Sequence, residues 1–147
     1  MMTRLTPHFT LEELTFSNTA TRLDIDNTPN DVQKFNLVTL AEGLELVRTK
    51  LDGHAIRVSS GFRSMDLNRA LRSKDTSYHT YGLAADFTCP GFGDVHDIMR
   101  TLAGSSIEFD QLILEFGSWI HVAFPKGTDK PRRQMLAISK SGVRIYE

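Results

Sequence analysis

The sequence predicts an α+β fold in which helices precede and flank a mainly antiparallel sheet. Three observations carry this. Residues 30–51 hold a long apolar stripe at helical spacing. The last third contains three short apolar runs, 111–116, 119–124 and 134–138, each bounded by Gly, Pro or charged turns. Helical patterns dominate the first half and strand patterns the second, with short connections between successive strands, an order that favours α+β over alternating βαβ units.

Taken in order, Thr10-Leu11-Glu12-Glu13 has the form of a capping box, with Thr10 as cap, Glu13 reaching back to its amide, and Leu11 and Leu14 facing the core. Residues 17–29 are polar loop with one helical turn around Thr19 to Leu23. In the long helix, Phe35, Leu37, Leu40, Ala41, Leu44, Val47 and Leu51 form the core-facing stripe, Asp31 suits the positive helix start, and Gly53 supplies a left-handed cap. Residues 56–60 alternate as a strand ending at Gly61. Ser64 caps a helix through Leu67, Ala70 and Leu71, and 72–77 is loop. Residues 83–88 form a strand broken by Pro90, Gly91 and Gly93, and 94–102 form a helix closed by Gly104. Residues 143–146 add an edge strand. No repeat, low-complexity tract or linker marks a boundary, so one domain spanning 1–147 is expected.

Composition excludes several classes. A net charge of −1 gives no cause to expect nucleic acid or an anionic membrane as partner. No run approaches the roughly 18 apolar residues of a membrane span, so no membrane insertion is expected. The segment Met1 to Pro7 has no apolar core of a secretory signal, so synthesis and folding in a reducing cytoplasm are expected. The single cysteine, Cys89, leaves no internal disulfide and no paired-cysteine metal site, and reads as a small buried core residue.

The chemistry concentrates in Ser77-Tyr78-His79-Thr80-Tyr81-Gly82-Leu83-Ala84-Ala85-Asp86 and Trp119-Ile120-His121. Two imidazoles and one carboxylate suffice to hold a catalytic zinc that keeps its fourth position for water. His79 sits in a loop entering the strand that carries Asp86. Strand alternation places Trp119, His121 and Ala123 on one face and Ile120, Val122 and Phe124 on the other, the core side. Metal-assisted hydrolysis also needs a base. Glu115, the lone acid in Gln111-Leu112-Ile113-Leu114-Glu115-Phe116, is the candidate, because burial raises a carboxyl toward neutral pH. The role depends on register. A two-residue turn at Gly117-Ser118 would pair Leu114 with His121 and turn Glu115 away. A three-residue loop, Phe116-Gly117-Ser118, pairs Glu115 with Trp119 and Ile113 with His121.

Arg63, straight after a strand, reads equally as a surface arginine or as a guanidinium aimed at a carboxylate or oxyanion. Asp110 either orients a ligand histidine from behind or simply begins its strand. Lys126, Lys130, Arg132 and Arg133 read as a solvated basic loop able to meet an anionic polymer. His8, His54 and His96 lack metal-like companions.

Ser60-Gly61-Phe62-Arg63-Ser64, the Ser-x-His-x-x-Gly-x-Ala-x-Asp pattern at 77–86 and Trp119-x-His121 together resemble the M15 family of zinc D-alanyl-D-alanine peptidases, which have the hedgehog/DD-peptidase fold. Phe9 to Leu14 and Phe109 to Ile113 resemble its small phage and prophage branch, so the likeness spans nearly the whole chain. The resemblance implies zinc held by His79, Asp86 and His121, Arg63 on the substrate or its scissile carbonyl, Ser77 as a secondary substrate contact, and hydrolysis of peptidoglycan stem peptides by a terminal or an internal cut. Some branches place the acid three residues before the last ligand, where this chain has Ser118; others place it six before, at Glu115. Some carry a histidine two before, where this chain has Trp119, so the substrate wall is aromatic here. The expected protein is a monomer that reaches the cell wall in a phage-lysis setting. The competing reading is a non-catalytic zinc-containing module that binds wall or protein on the same fold.

Overall fold

Reciprocal caps start three of the five α-helices, and they fix where the chain turns. The computed structural model describes residues 2–147. Strands β1 (Arg4–Thr6) and β2 (Phe9–Thr10) form a small antiparallel ribbon. Thr10 then caps α1 (Leu11–Thr15), its hydroxyl accepting the Glu13 N–H while the Glu13 carboxylate accepts the Thr10 N–H. Helix α2 (Asn18–Leu23) is capped by Ser17. Asn30 and Gln33 cap α3 (Asp31–Lys50) in the same reciprocal way. Strand β3 (Arg57–Ser60), α4 (Met65–Ala70) with Ser64 as its cap, and a 3₁₀ turn (Tyr78–Tyr81) lead into β4 (Ala84–Thr88). Helix α5 (Val95–Ala103), capped by Asp94 and Asp97, precedes β5 (Gln111–Glu115), β6 (Trp119–Ala123), β7 (Gln134–Ser139) and the exposed β8 (Gly142–Ile145).

Along α3, Leu37, Leu40, Ala41, Leu44 and Val47 are buried, as is Leu51 just beyond its end. Each large side chain there contributes about 1.5–3 kcal/mol by leaving water. Phe35, expected in the same stripe, is instead 73% exposed. Two residues before Leu37 at about 100° each, it lies on the far side of the helix, so its type argued for the core and its angle against it. Gly43 lets α3 approach the sheet closely, since a Cβ there would sit 2.3 Å from the Phe124 ring.

The last six strands form one sheet in the order β3-β4-β6-β5-β7-β8. Four of its pairings are antiparallel and one, β5 with β7, is parallel. The connection after β6 therefore passes to the far side of β5 rather than extending a meander, a correction to the short sequential connections expected there. Because directly opposed residues share a face, one transverse row crosses the whole sheet: Ser60, Asp86, His121, Ile113, Leu136 and Ile145. The other face, with Ala85, Phe87, Leu112, Leu114, Ile120, Val122 and Ala137, shares one core with α3 and α5. Helices thus cover one side of the sheet and leave polar chemistry to the other. No helix among the described residues is long and apolar enough to cross a membrane.

Of the four basic residues in the loop before β7, Lys130 is exposed, but the other three are tied to the protein and do not form a solvated patch. Lys126 lies over the rings of Tyr81 (4.1 Å) and Tyr78 (5.0 Å). Arg133 donates to the carbonyls of Ile107 and Ser105 and covers the Phe109 ring. Arg132 grips the buried Asp110 carboxylate through Nε and Nη2 at 2.8–3.2 Å. Asp110 is thereby committed to the loop and supports neither His79 nor His121.

Candidate metal centre

The site grows out of Gly61. A Cβ at this position would lie 2.3 Å from the carbonyl oxygen of Leu14, so only glycine lets the end of β3 pass this close to α1. The next amide, Phe62, donates to that same oxygen at 2.7 Å. The Gly61 carbonyl faces the other way and accepts from Nδ1 of His79 at 2.7 Å. A carbonyl can only accept, so Nδ1 carries the proton and Nε2 is left with its lone pair.

His79 is placed by the 3₁₀ turn. Ser77 Oγ accepts the His79 N–H at the start of the turn, and Gly82 ends it in the left-handed conformation (φ 79°). The Arg63 amide donates to the His79 carbonyl at 3.0 Å, tying the two loops together. Asp86 and His121 face each other across β4 and β6. Asp86 Oδ1 lies 2.9 Å from His121 Nδ1 and 3.3 Å from His79 Nε2, and all three ligand atoms lie within 4.8 Å of one another. All three residues are buried.

This donor set fits a metal ion. Burial pushes the His79 imidazole below its usual value, keeping it neutral. Burial alone would raise Asp86, but its hydrogen bond with His121 Nδ1 helps hold the carboxyl well below the carboxylate range. With Nδ1 of His79 donating elsewhere, Nε2 and Oδ1 meet at 3.3 Å as two acceptors, a contact that a cation between them makes favourable. The Gly61 carbonyl behind His79 also supplies the orienting hydrogen bond typical of metal-ligating imidazoles.

Arg63 is drawn inward from the surface. Its side chain is 14% exposed, with Nη2 3.6 Å from Asp86 Oδ2, Nε donating to Ser60 Oγ at 3.1 Å and Nη1 to Asn68 Oδ1 at 3.4 Å. Sequence reasoning missed two residues behind it. Asn68, fully buried on α4, anchors the guanidinium and also donates to the Lys74 carbonyl. Asn27 pins the loop from both ends, donating to the Phe62 carbonyl and accepting from the Ser64 amide. The one signal for Asn68 is an amide at a core-facing position of a short helix; Asn27 has none, since its partners lie 35 and 37 residues away.

The β5–β6 hairpin has the three-residue loop Phe116–Ser118, with Phe116 and Gly117 both at positive φ. Glu115 pairs with Trp119 and Ile113 with His121, so Glu115 shares the face of His121. Burial first, then the Asp86 charge, raises the Glu115 carboxyl above its ordinary value, opposed by His121, the Trp119 indole and Arg63. The indole N–H is buried without a hydrogen-bond partner. Its effect on Glu115 is therefore that of a neighbour felt electrostatically but too distant or too bent for a bond. Cys89 is buried away from the site with its thiol pushed up by burial, a core residue.

Two imidazoles, an ionised carboxylate, a guanidinium and a half-buried acid thus converge on one side of one sheet. No curated protein matches the chain. The family model for peptidase M15 matches residues 7–123, a span that contains every one of these groups. The chain belongs to the peptidase M15 family.

Proposed function

We propose that this peptidase is a zinc enzyme of the hedgehog/DD-peptidase fold that hydrolyses stem peptides of peptidoglycan. His79, Asp86 and His121 would hold the ion, which supplies a water of lowered pKa and a Lewis acid for the scissile carbonyl. The observation that carries the reading is the hairpin register, which sets Glu115 on the ligand face beside Arg63 and His121. A raised carboxyl and a buried guanidinium beside the ligand set favour an enzyme over a non-catalytic binding module.

In this reading Glu115, ionised, takes a proton from the attacking water and returns it to the leaving nitrogen. Arg63, fixed by Ser60 and Asn68, directs its remaining N–H groups at the developing oxyanion or at a carboxylate of the peptide. Trp119 forms an aromatic wall and Ser77 lines the entrance beside His79. The reading extends to a phage-lysis setting, in which a membrane-permeabilising partner would admit a monomeric enzyme to a thin wall.

A zymogram on purified cell walls tests the proposal. Clearing is expected with added zinc, none after chelation or in His121→Ala, and mass spectrometry of the released muropeptides identifies the bond. Stoichiometric zinc with no chelator-sensitive clearing would assign the site to binding instead.

A further inference from the structure

Trp119 is the chain's single tryptophan, and its indole N–H is buried at the site without a partner among the described residues. A buried donor in that state costs about 1–3 kcal/mol, so the fold retains it for something. Its position is well defined. Phe116 packs against the ring with centroids 5.6 Å apart, and strand pairing sets Trp119 directly opposite Glu115.

A carboxylate acting as base must keep one oxygen free while its plane is held. Of the three groups that favour the ionised Glu115, His121, Trp119 and Arg63, His121 is committed to the metal in this reading, which leaves Arg63 and Trp119. Anchoring by Arg63 would bind the base in an ion pair and withdraw the guanidinium from Asp86, Ser60 and Asn68. Anchoring by a neutral N–H leaves the charge available. The indole, closed off from water, has no competing acceptor.

We propose that the Trp119 indole N–H donates to one oxygen of Glu115 in the metal-loaded protein and orients the other toward the reacting water. Trp119 is then a positioning residue, and the assignment rests on the reading of Glu115 as base.

With one tryptophan, the ¹⁵N-labelled zinc-loaded protein gives a single indole N–H resonance. In wild type it is expected downfield and slow to exchange with solvent; in Glu115→Gln it moves upfield and exchanges faster. Trp119→Phe keeps an aromatic ring and loses the donor. It is expected to retain one zinc per chain and to lower kcat roughly ten- to hundred-fold, with KM within about twofold. An indole resonance identical in wild type and Glu115→Gln, or wild-type kcat in Trp119→Phe, overturns the proposal. Wild-type hydrolysis in Glu115→Gln would instead overturn the base assignment, and the indole resonance would still report whether the two side chains touch. Should Trp119→Phe misfold, the comparison between wild type and Glu115→Gln decides alone.

Discussion

Gly61→Ala perturbs the fold and the site through one methyl group. The added Cβ would sit 2.3 Å from the Leu14 carbonyl oxygen and 3.1 Å from its carbon. Both belong to the backbone of a buried residue, so a shift approaching 1 Å is needed and no side-chain rotation relieves it. The shift strains the Phe62 N–H bond to that oxygen, now 2.7 Å. Overpacking costs about 1–3 kcal/mol and the weakened buried hydrogen bond about 1 more, or about 2–4 kcal/mol together. For a chain of this length that lowers the melting temperature by roughly 5–15 °C. The same displacement moves the Gly61 carbonyl off His79 Nδ1, and loss of such an orienting bond weakens metal affinity about 10–100-fold. Thermal unfolding of the metal-free protein reads the first effect and competition with a chromophoric chelator the second. Gly117→Ala is the control: it has open space and a φ of 60°, so it costs about 1–2 kcal/mol in stability and leaves metal affinity unchanged. A Gly61→Ala protein with wild-type melting temperature and wild-type affinity would refute the coupling drawn here between α1 and His79.

Three further predictions concern charge. The raised Glu115 carboxyl must be ionised to act as base, so kcat/KM is expected to fall as pH drops through a midpoint above the ordinary 4.5; Glu115→Gln removes the limb and about 10²–10⁴-fold of the activity. Because its folded-state value is raised, ionised Glu115 opposes folding above pH 4.5, and metal-free Glu115→Gln should melt no lower than wild type at pH 7; a lower melting point would contradict the burial argument. Asp86 has the opposite sign. Its value is depressed, so its contribution to the metal-free fold is complete above the ordinary 3.8 and is lost as pH falls below that toward the folded value. Asp86→Asn should therefore cost about 2–4 kcal/mol at neutral pH and flatten the acid limb of a stability profile; an unchanged limb would show that the carboxylate is not held by the histidines.

Local rules reached far into this chain and stopped at contacts that no local pattern records. The caps at Thr10 and Ser64 and the alternation in Trp119–Phe124 each depend on residues a few positions apart, and the sequence showed them; the hairpin stood between two loop lengths until the register chose Phe116–Ser118. Asn27 and Asn68 act through carbonyls and amides brought near by tertiary packing, so their importance was not visible. The parallel partnership of β5 with β7 was hidden for the same reason, since alternation shows which face a side chain takes but not which strand lies alongside. The ribbon of β1 and β2 is too short to show a period. Asp110 was left between orienting a ligand histidine and opening its strand, and neither reading named its partner, Arg132, which stands 22 residues downstream and was taken for a solvated cation.

The pairing of Asp86 with His121 across adjacent strands also has a kinetic consequence. These residues are 35 apart in the chain, and their strands meet only when the non-local part of the sheet closes, a late and slow event in folding. Before that moment no three-ligand site exists, and a free ion meets only single imidazoles and carboxylates. Metal therefore cannot guide the chain to its topology; it captures a topology already reached. Its binding energy falls on the folded side of the barrier, slowing unfolding while leaving the rate of folding as it was.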